Sequence, residues 1–215
     1  ATEGPMRSLL VTSAGPREGK SMTAANLAVV MAQAGRRVLL VDTDLRRPVM
    51  HNIFDLKREP GLTEVIAGIR GIDDAGVMEE TRVENLSVLT CGHLPHNPAE
   101  MVGSSRMRKL VEELESRFDT VLMDSPPVAV VTDPIVLSSL VTGTLVVVMA
   151  KLGDKKVLKS AWSKLNRTSG NLTGALLNGF DPLSMYTSYG YYTYRYHYYY
   201  GDDGEKRRSR GSKKS

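Results

Sequence analysis

Residues Leu9 to Ala25 read LLVTSAGPREGKSMTAA, an apolar run that breaks at a Gly-Pro turn before a helix-forming segment begins. The eight residues Ala14 to Ser21 fit the phosphate-loop pattern GxxxxGK[ST], with Ala14 in place of the first glycine. The spacing has a physical reason. An abrupt turn between a strand and a helix aims successive backbone N–H groups, and the positive end of the helix dipole, at phosphate oxygens. Lys20 can then reach the β- and γ-phosphates of a nucleotide, and the Ser21 hydroxyl can ligate Mg2+. A chance Gly-Pro turn would not need the strand before it and the helix after it that the pattern requires.

Around this loop lie 215 residues with 41% hydrophobic content, enough for one α/β domain to bury a core. Cys91 is the single cysteine, so there is no internal disulfide and no cysteine spacing for a metal, in keeping with a reducing compartment. The most apolar long window, Val128 to Ala150, contains Asp133, Pro134 and several Ser and Thr residues. It reads as a helix followed by a buried strand, not as a membrane span. The net charge of +4 is local. Six basic residues (Lys206, Arg207, Arg208, Arg210, Lys213, Lys214) and three acidic ones follow Gly201, which leaves +1 for the first 200 residues. A nucleic-acid-binding body is therefore not expected.

In chain order, the pattern predicts a strand over Ser8 to Ser13, a helix from about Ser21 to Ala34 stopped by Gly35, and a strand over Arg37 to Asp42. A short helix is expected over Gly61 to Gly68, a strand over Leu86 to Thr90, and one or two helices from Pro98 to Phe118. Strands follow at Thr120 to Asp124, Leu145 to Met149 and Ala175 to Asn178. Continuous apolar strands that alternate with helices predict a mostly parallel sheet flanked by helices, with ligands at its carboxyl edge. Two acidic groups should emerge at that edge. The strand ending at Val41 runs into Asp42-Thr43-Asp44-Leu45-Arg46-Arg47, and the strand ending at Met123 runs into Asp124-Ser125-Pro126-Pro127. Either alone could be a turn or a helix cap. Beside a phosphate loop they suit phosphoryl transfer, which needs carboxylates to hold Mg2+ and to orient the attacking oxygen.

The other distinctive feature is at the far end. All nine tyrosines (Tyr186, Tyr189, Tyr191, Tyr192, Tyr194, Tyr196, Tyr198, Tyr199, Tyr200) follow residue 185. Tyrosines used for packing would be spread through the core. The expected division is a P-loop nucleotide-binding domain over residues 1–183 and a disordered tyrosine cluster with a basic tail over 184–215. An aromatic tail that stacks on single-stranded nucleic acid is the competing reading, kept open by Arg195 and His197 among the tyrosines. His93 and His96 read as loop residues, since no further Cys or His completes a metal site.

The loop at Ala14 to Ser21, VLLVDTDLRRP at Val38 to Pro48, VLMDSPP at Val121 to Pro127, HLPHNPAEM at His93 to Met101 and the tyrosine cluster together resemble the bacterial tyrosine kinases of exopolysaccharide and capsule synthesis. The first three match that family's Walker A, A′ and B motifs, and the resemblance covers nearly the whole chain. It implies a P-loop fold of the partition-ATPase type, with ATP and Mg2+ as cofactors. It implies a nucleotide-contacting set of Gly15, Pro16, Arg17, Glu18, Gly19, Lys20, Ser21, Met22 and Asn178, and metal ligation by Ser21, Asp44 and Asp124. Lys20, Asp42, Asp44, Arg46 and Asp124 would be catalytic, with Asp42 as general base or at least as the group that positions the tyrosine hydroxyl, and Arg46 contributing charge.

The same resemblance implies autophosphorylation of the nine tyrosines, in trans, on a neighbouring subunit. It places the chain at the cytoplasmic side of the inner membrane. The implied partners are a membrane activator of the polysaccharide co-polymerase type and a cognate phosphotyrosine phosphatase; the basic end Lys206 to Lys214, for its part, suits the anionic membrane face, and the charge balance predicts no nucleic-acid partner. Two departures stand out. Ala14 and Arg17 put side chains into the turn, and only about seven residues precede the first strand, where the family carries a ring-forming helix. The chain is accordingly expected to be a piece of a longer protein. A partition- or septum-site-type switch ATPase is the alternative on the same sheet. Such proteins place a second lysine five residues before the loop lysine, where this chain has Gly15, and lack the tyrosine cluster.

Overall fold

The computed structural model describes residues 6–151, 154–167 and 171–181. The nine tyrosines and the basic end, and with them the expected boundary after residue 183, lie outside the described residues. Up to Asn178 the chain forms one compact unit. Its centre is a seven-stranded sheet: β1 (Ser8–Ser13), β2 (Val38–Asp42), β3 (Met78–Glu80), β4 (Leu86–Leu89), β5 (Thr120–Asp124), β6 (Gly143–Met149) and β7 (Leu172–Asn178), in the spatial order β3-β4-β2-β5-β1-β6-β7. All neighbours are parallel except β3, which pairs antiparallel with β4 at one edge.

The five residues of β2 and the five of β5 are all buried, because helices cover both sheet faces. On one face lies α1 (Lys20–Gln33), which brings Ala24, Ala25, Ala28 and Ala32 against Leu9, Val11, Val38, Leu40 and Leu122. Four alanines on one stripe let that helix lie close to the strands. α2 (Met50–Phe54) joins this face through Met50. On the other face α3 (Leu62–Ala67), α4 (Pro98–Val102), α5 (Ser105–Arg117) and α6 (Asp133–Ser138) pack over Leu10, Leu39, Val41, Val121 and Met123. α7 (Lys155–Asn166) covers Val146 and Val148.

The expected strands and helices are present, with ends that differ by three residues at most. The long 98–118 segment is two helices, because Ser104 caps the second: its hydroxyl accepts the Met107 N–H at 3.1 Å. Three elements lie outside the sequence expectation: α2, β3 and α7. α2 and β3 are five and three residues long, too short for a periodic signal of their own. α7 does carry one, with Val157, Leu158, Ala161 and Leu165 at helical spacing. Among the described residues, no helix is long and apolar enough to cross a membrane.

Candidate active site

The chain leaves β1 at Ser13 and enters α1 at Lys20, so the intervening loop sits at the carboxyl edge of the sheet. Gly19 caps α1 with φ +89°, a left-handed conformation that glycine adopts without a steric penalty. A Cβ there would also collide with the Asn178 side chain, whose Nδ2 donates to the Glu18 carbonyl at 3.0 Å. The end of β7 thus braces the loop from outside. Arg17 is left-handed as well, at φ +64°. Ala14 is not, and its methyl group is buried with Val128, Val146 and Val148. The position of the first motif glycine therefore needs a small residue here, not a positive φ, and the alanine costs the loop nothing in backbone strain.

Within the loop, the Ser13 hydroxyl donates to the Gly15 carbonyl at 2.7 Å, and the buried Glu18 carboxylate accepts the Gly15 N–H at 3.0 Å. Pro16, Arg17 and Met22 are exposed, whereas Gly15, Gly19, Lys20 and Ser21 are half-buried at the loop's inner side.

Lys20 and three carboxylates meet beneath the loop. Lys20 Nζ donates to Asp44 Oδ2 at 2.9 Å and to Ser21 Oγ at 3.0 Å, and lies 3.4 Å from both Asp124 oxygens. Ser21 Oγ donates to Asp124 Oδ2 at 2.6 Å. Asp42 and Asp124 are register partners on the adjacent parallel strands β2 and β5, so their side chains leave the sheet on the same face, the one covered by α1. Thr43, which the sequence did not single out, locks these strand ends: its N–H and hydroxyl both donate to the Asp124 carbonyl, at 2.9 and 2.6 Å. Asp42 is fully buried. Its Oδ1 accepts the Asp44 N–H at 3.2 Å and its Oδ2 accepts the N–H groups of Val49 and Met50, each at 2.9 Å. It therefore holds the start of α2, a role legible only once residues 42 and 50 are brought together.

Electrostatics follow from burial. Asp42 is pushed up to about 7, first by desolvation and then by the neighbouring Asp124. Asp124 is pushed up to about 6 even though Lys20 lies beside it, because complete burial outweighs the ammonium and the Ser21 hydrogen bond. Burial works against the Lys20 charge too, but Asp124 and Asp44 overcome it and hold the lysine above its usual range. Lys20 pairs with two buried carboxylates, Asp44 and Asp124, an excess of negative charge that suits a divalent metal. No group of three or more His, Cys, Asp or Glu side chains among the described residues is arranged to enclose one. A hydroxyl and one or two carboxylates, completed by water and phosphate oxygens, is how Mg2+ is ordinarily held. The residues Ser21, Asp44 and Asp124 fit that ion.

Arg46 stands apart from the Lys20 cluster and is anchored elsewhere. Its Nε and Nη2 donate to the two oxygens of Asp133, at 2.7 and 3.2 Å, in the first turn of α6. Asp133 is a functional candidate missing from the sequence reading; an Asp-Pro pair at a helix start looks like an ordinary cap, and nothing local joins it to residue 46. A cavity of about 550 Å3 lined by Arg37, Asn85, Arg117 and Phe118 opens at the opposite, amino-terminal edge of the sheet, and none of the candidate site residues lines it.

Comparison with known proteins finds similar sequences and folds. A family profile described as an AAA domain matches residues 16–158. The chain is 40% identical over 187 residues to the tyrosine-protein kinase YwqD of Bacillus subtilis, covering 87% of this chain and 78% of that protein. It is 36% identical over 183 residues to the tyrosine-protein kinase etk of Escherichia coli, covering 85% of this chain but only 25% of that longer protein. The solved kinase domain of the E. coli tyrosine kinase ETK superposes with a TM-score of 0.78 at 34% identity, over 83% of this chain and 69% of that one.

Proposed function

Because this chain belongs to the bacterial tyrosine-protein kinase family, we propose that it transfers the γ-phosphoryl group of ATP to tyrosine hydroxyls, foremost those of its own Tyr186 to Tyr200 cluster. One observation carries the reading: a chain whose Lys20, Ser21, Asp44 and Asp124 converge within 3.4 Å under a phosphate loop keeps all nine of its tyrosines after residue 185.

In this mechanism the backbone of Gly15 to Met22 cradles the phosphates, and Lys20 moves its contacts from Asp44 and Asp124 to phosphate oxygens. Ser21, Asp44 and Asp124 would hold Mg2+, directly or through water, and the bound ion would supply charge neutralisation at the phosphates. A tyrosine oxygen bonds to the γ-phosphorus as the bond from phosphorus to the bridging oxygen breaks and ADP leaves. The phenol proton, with an ordinary pKa of about 10, passes to Asp42. A carboxylate offers about four lone-pair sites, and Asp42 uses three of them on backbone N–H groups, which aims the remaining one. A base with a pKa of about 7 is matched to neutral pH. Arg46 stabilises charge on the transferring group.

The acceptor is the tail of a neighbouring subunit. The segment Asp181 to Tyr200 spans up to about 65 Å when extended, against a diameter of about 40 Å for a body of this size. Reach permits either geometry, and the family resemblance favours transfer between chains. The same resemblance supports a role in exopolysaccharide or capsule synthesis at the cytoplasmic face of the inner membrane. A co-polymerase-type membrane activator and a phosphotyrosine phosphatase would be its partners, with the basic end Lys206 to Lys214 against anionic lipid.

Incubation with labelled ATP and Mg2+ followed by phosphotyrosine detection tests the activity, and the expected result is label confined to the tail. ADP release without any phosphotyrosine would instead identify a switch ATPase. Mixing a tail-deleted active chain with an intact Lys20→Met chain tests the geometry; label on the inactive chain is expected, and its absence would mean transfer within one chain.

A further inference from the structure

Helix α7 presents a face that the candidate site does not use. Ala161 and Leu165 are buried and Val157 and Leu158 half-buried, packed toward Val128, Val146 and Val148. Outward point Lys155, Lys156, Lys159 and Lys164, with Arg167 just past the helix end, all exposed. Among the described residues none of these five cations belongs to an ion pair. At about 100° per residue, Lys155, Lys156, Lys159 and Arg167 share an arc of roughly 120°. Trp162 lies at the margin of that arc, nearest Lys155 and Lys159. It is the only tryptophan in the chain and is 40% exposed.

The charge on this helix is concentrated. Asp154 is the one acidic residue between 154 and 167, and its Oδ1 is occupied as the helix cap, accepting the Lys156 N–H at 2.7 Å. That stretch is net +4 whereas the first 200 residues are net +1, so the remainder of those residues is net negative and the α7 stretch stands out as cationic. A large apolar indole beside a lysine field is the composition of a helix that lies in the plane of a membrane interface.

We propose that α7 is a membrane-contact surface, separate from the basic chain end, that rests on anionic phospholipid headgroups with its lysines at phosphate level and Trp162 in the interface. Charge complementarity selects the occupant. Four of the five cations are lysines, flexible point charges suited to a diffuse layer of headgroups and able to lay their methylene stems along it. Nucleic acid would call for arginine forks, or for a groove with successive aromatics, and a single convex helix offers neither. A second copy docked symmetrically would set lysine against lysine, which is repulsive. Docking through α7 orients the body on the bilayer, whereas the basic end alone would act as a tether.

The single tryptophan makes the test direct. The full-length chain is titrated with vesicles of phosphatidylcholine, with and without phosphatidylglycerol, while Trp162 emission is followed. A blue shift is expected with the anionic vesicles only, weakening as salt is raised. The Lys155→Gln/Lys156→Gln/Lys159→Gln variant, with its basic end intact, should partition about a hundredfold more weakly, roughly fivefold per charge removed. The corresponding triple Lys→Arg variant should bind like the parent, which separates charge from any effect on folding. The proposal is overturned by parental binding of the Gln variant, by equal binding to neutral vesicles, or by an emission shift with oligonucleotide and none with vesicles.

Discussion

Arg46 and Asp133 form a two-point ion pair between the loop after β2 and the first turn of α6, with the carboxylate 2% exposed and the guanidinium side chain 39% exposed. The contact uses the edge of the guanidinium made by Nε and Nη2 and leaves the Nη1 end for an incoming oxyanion. The two partners are therefore not equivalent. Arg46→Ala strands a buried carboxylate and should cost about 3 kcal/mol of stability, whereas Asp133→Asn leaves an exposed arginine and should cost about 1 kcal/mol. Both variants should lower kcat about tenfold or more through loss or misplacement of the guanidinium, with KM for ATP little changed. Urea unfolding and steady-state kinetics on the pair check this; equal stability losses would refute the asymmetry.

Lys20→Met should eliminate phosphotyrosine at every pH. It should also reveal what Lys20 does without nucleotide, since among the described residues it is the one cation hydrogen-bonded to the buried Asp44 and Asp124. At pH 8 its removal leaves two buried carboxylates uncompensated, at a cost of about 3 kcal/mol. At pH 5 Asp124, already raised to about 6, takes up a proton and the deficit shrinks. Thermal midpoints of wild type and variant at the two pH values measure the difference, and a pH-independent deficit would contradict the assignment.

Asp42→Asn should keep nucleotide binding and lose transfer, because an amide cannot accept the phenol proton. The same variant reads out stability. Asp42 has a folded pKa of about 7 against an ordinary 3.8, so its contribution is fully present below about pH 4 and is lost as pH rises through 7. Asp124 acts in the same direction up to about pH 6. The unfolding free energy of the nucleotide-free chain should thus fall between pH 4 and 7, by about 1.4 kcal/mol for each unit of displacement. Asparagine is neutral throughout and should flatten that slope; an unchanged slope would place the titration at another group.

Gly19→Ala should impair the loop twice over, through φ +89° and through a clash with the Asn178 side chain. A stability loss of about 1–2 kcal/mol is expected together with weakened nucleotide binding. Asn178→Ala in the Gly19→Ala background should recover part of the loss by removing the obstacle, as denaturant titration of the single and double variants would show.

Much of this molecule is written locally. β1, β2 and β5 are unbroken apolar runs, the phosphate loop lies between a strand and a helix, and Asp42 and Asp124 each end a strand, so sequence alone places them at one edge of one parallel sheet. The gathering of all nine tyrosines after residue 185 is likewise legible in the sequence alone. Tertiary structure decides what depends on residues far apart in the chain. Asp42 holds the backbone of Val49 and Met50, so the five-residue α2 has a start that no propensity supplies. The three residues of β3 are a strand because β4 pairs with them. Arg46 meets Asp133 across 87 positions and Asn178 reaches Glu18 across 160, contacts with no local signature. Ala14 is acceptable in the loop because of the apolar cluster that surrounds its methyl group. Local pattern reflects the free energy of a segment in isolation, whereas a cap, a brace or an ion pair exists only after the sheet has brought its two ends together.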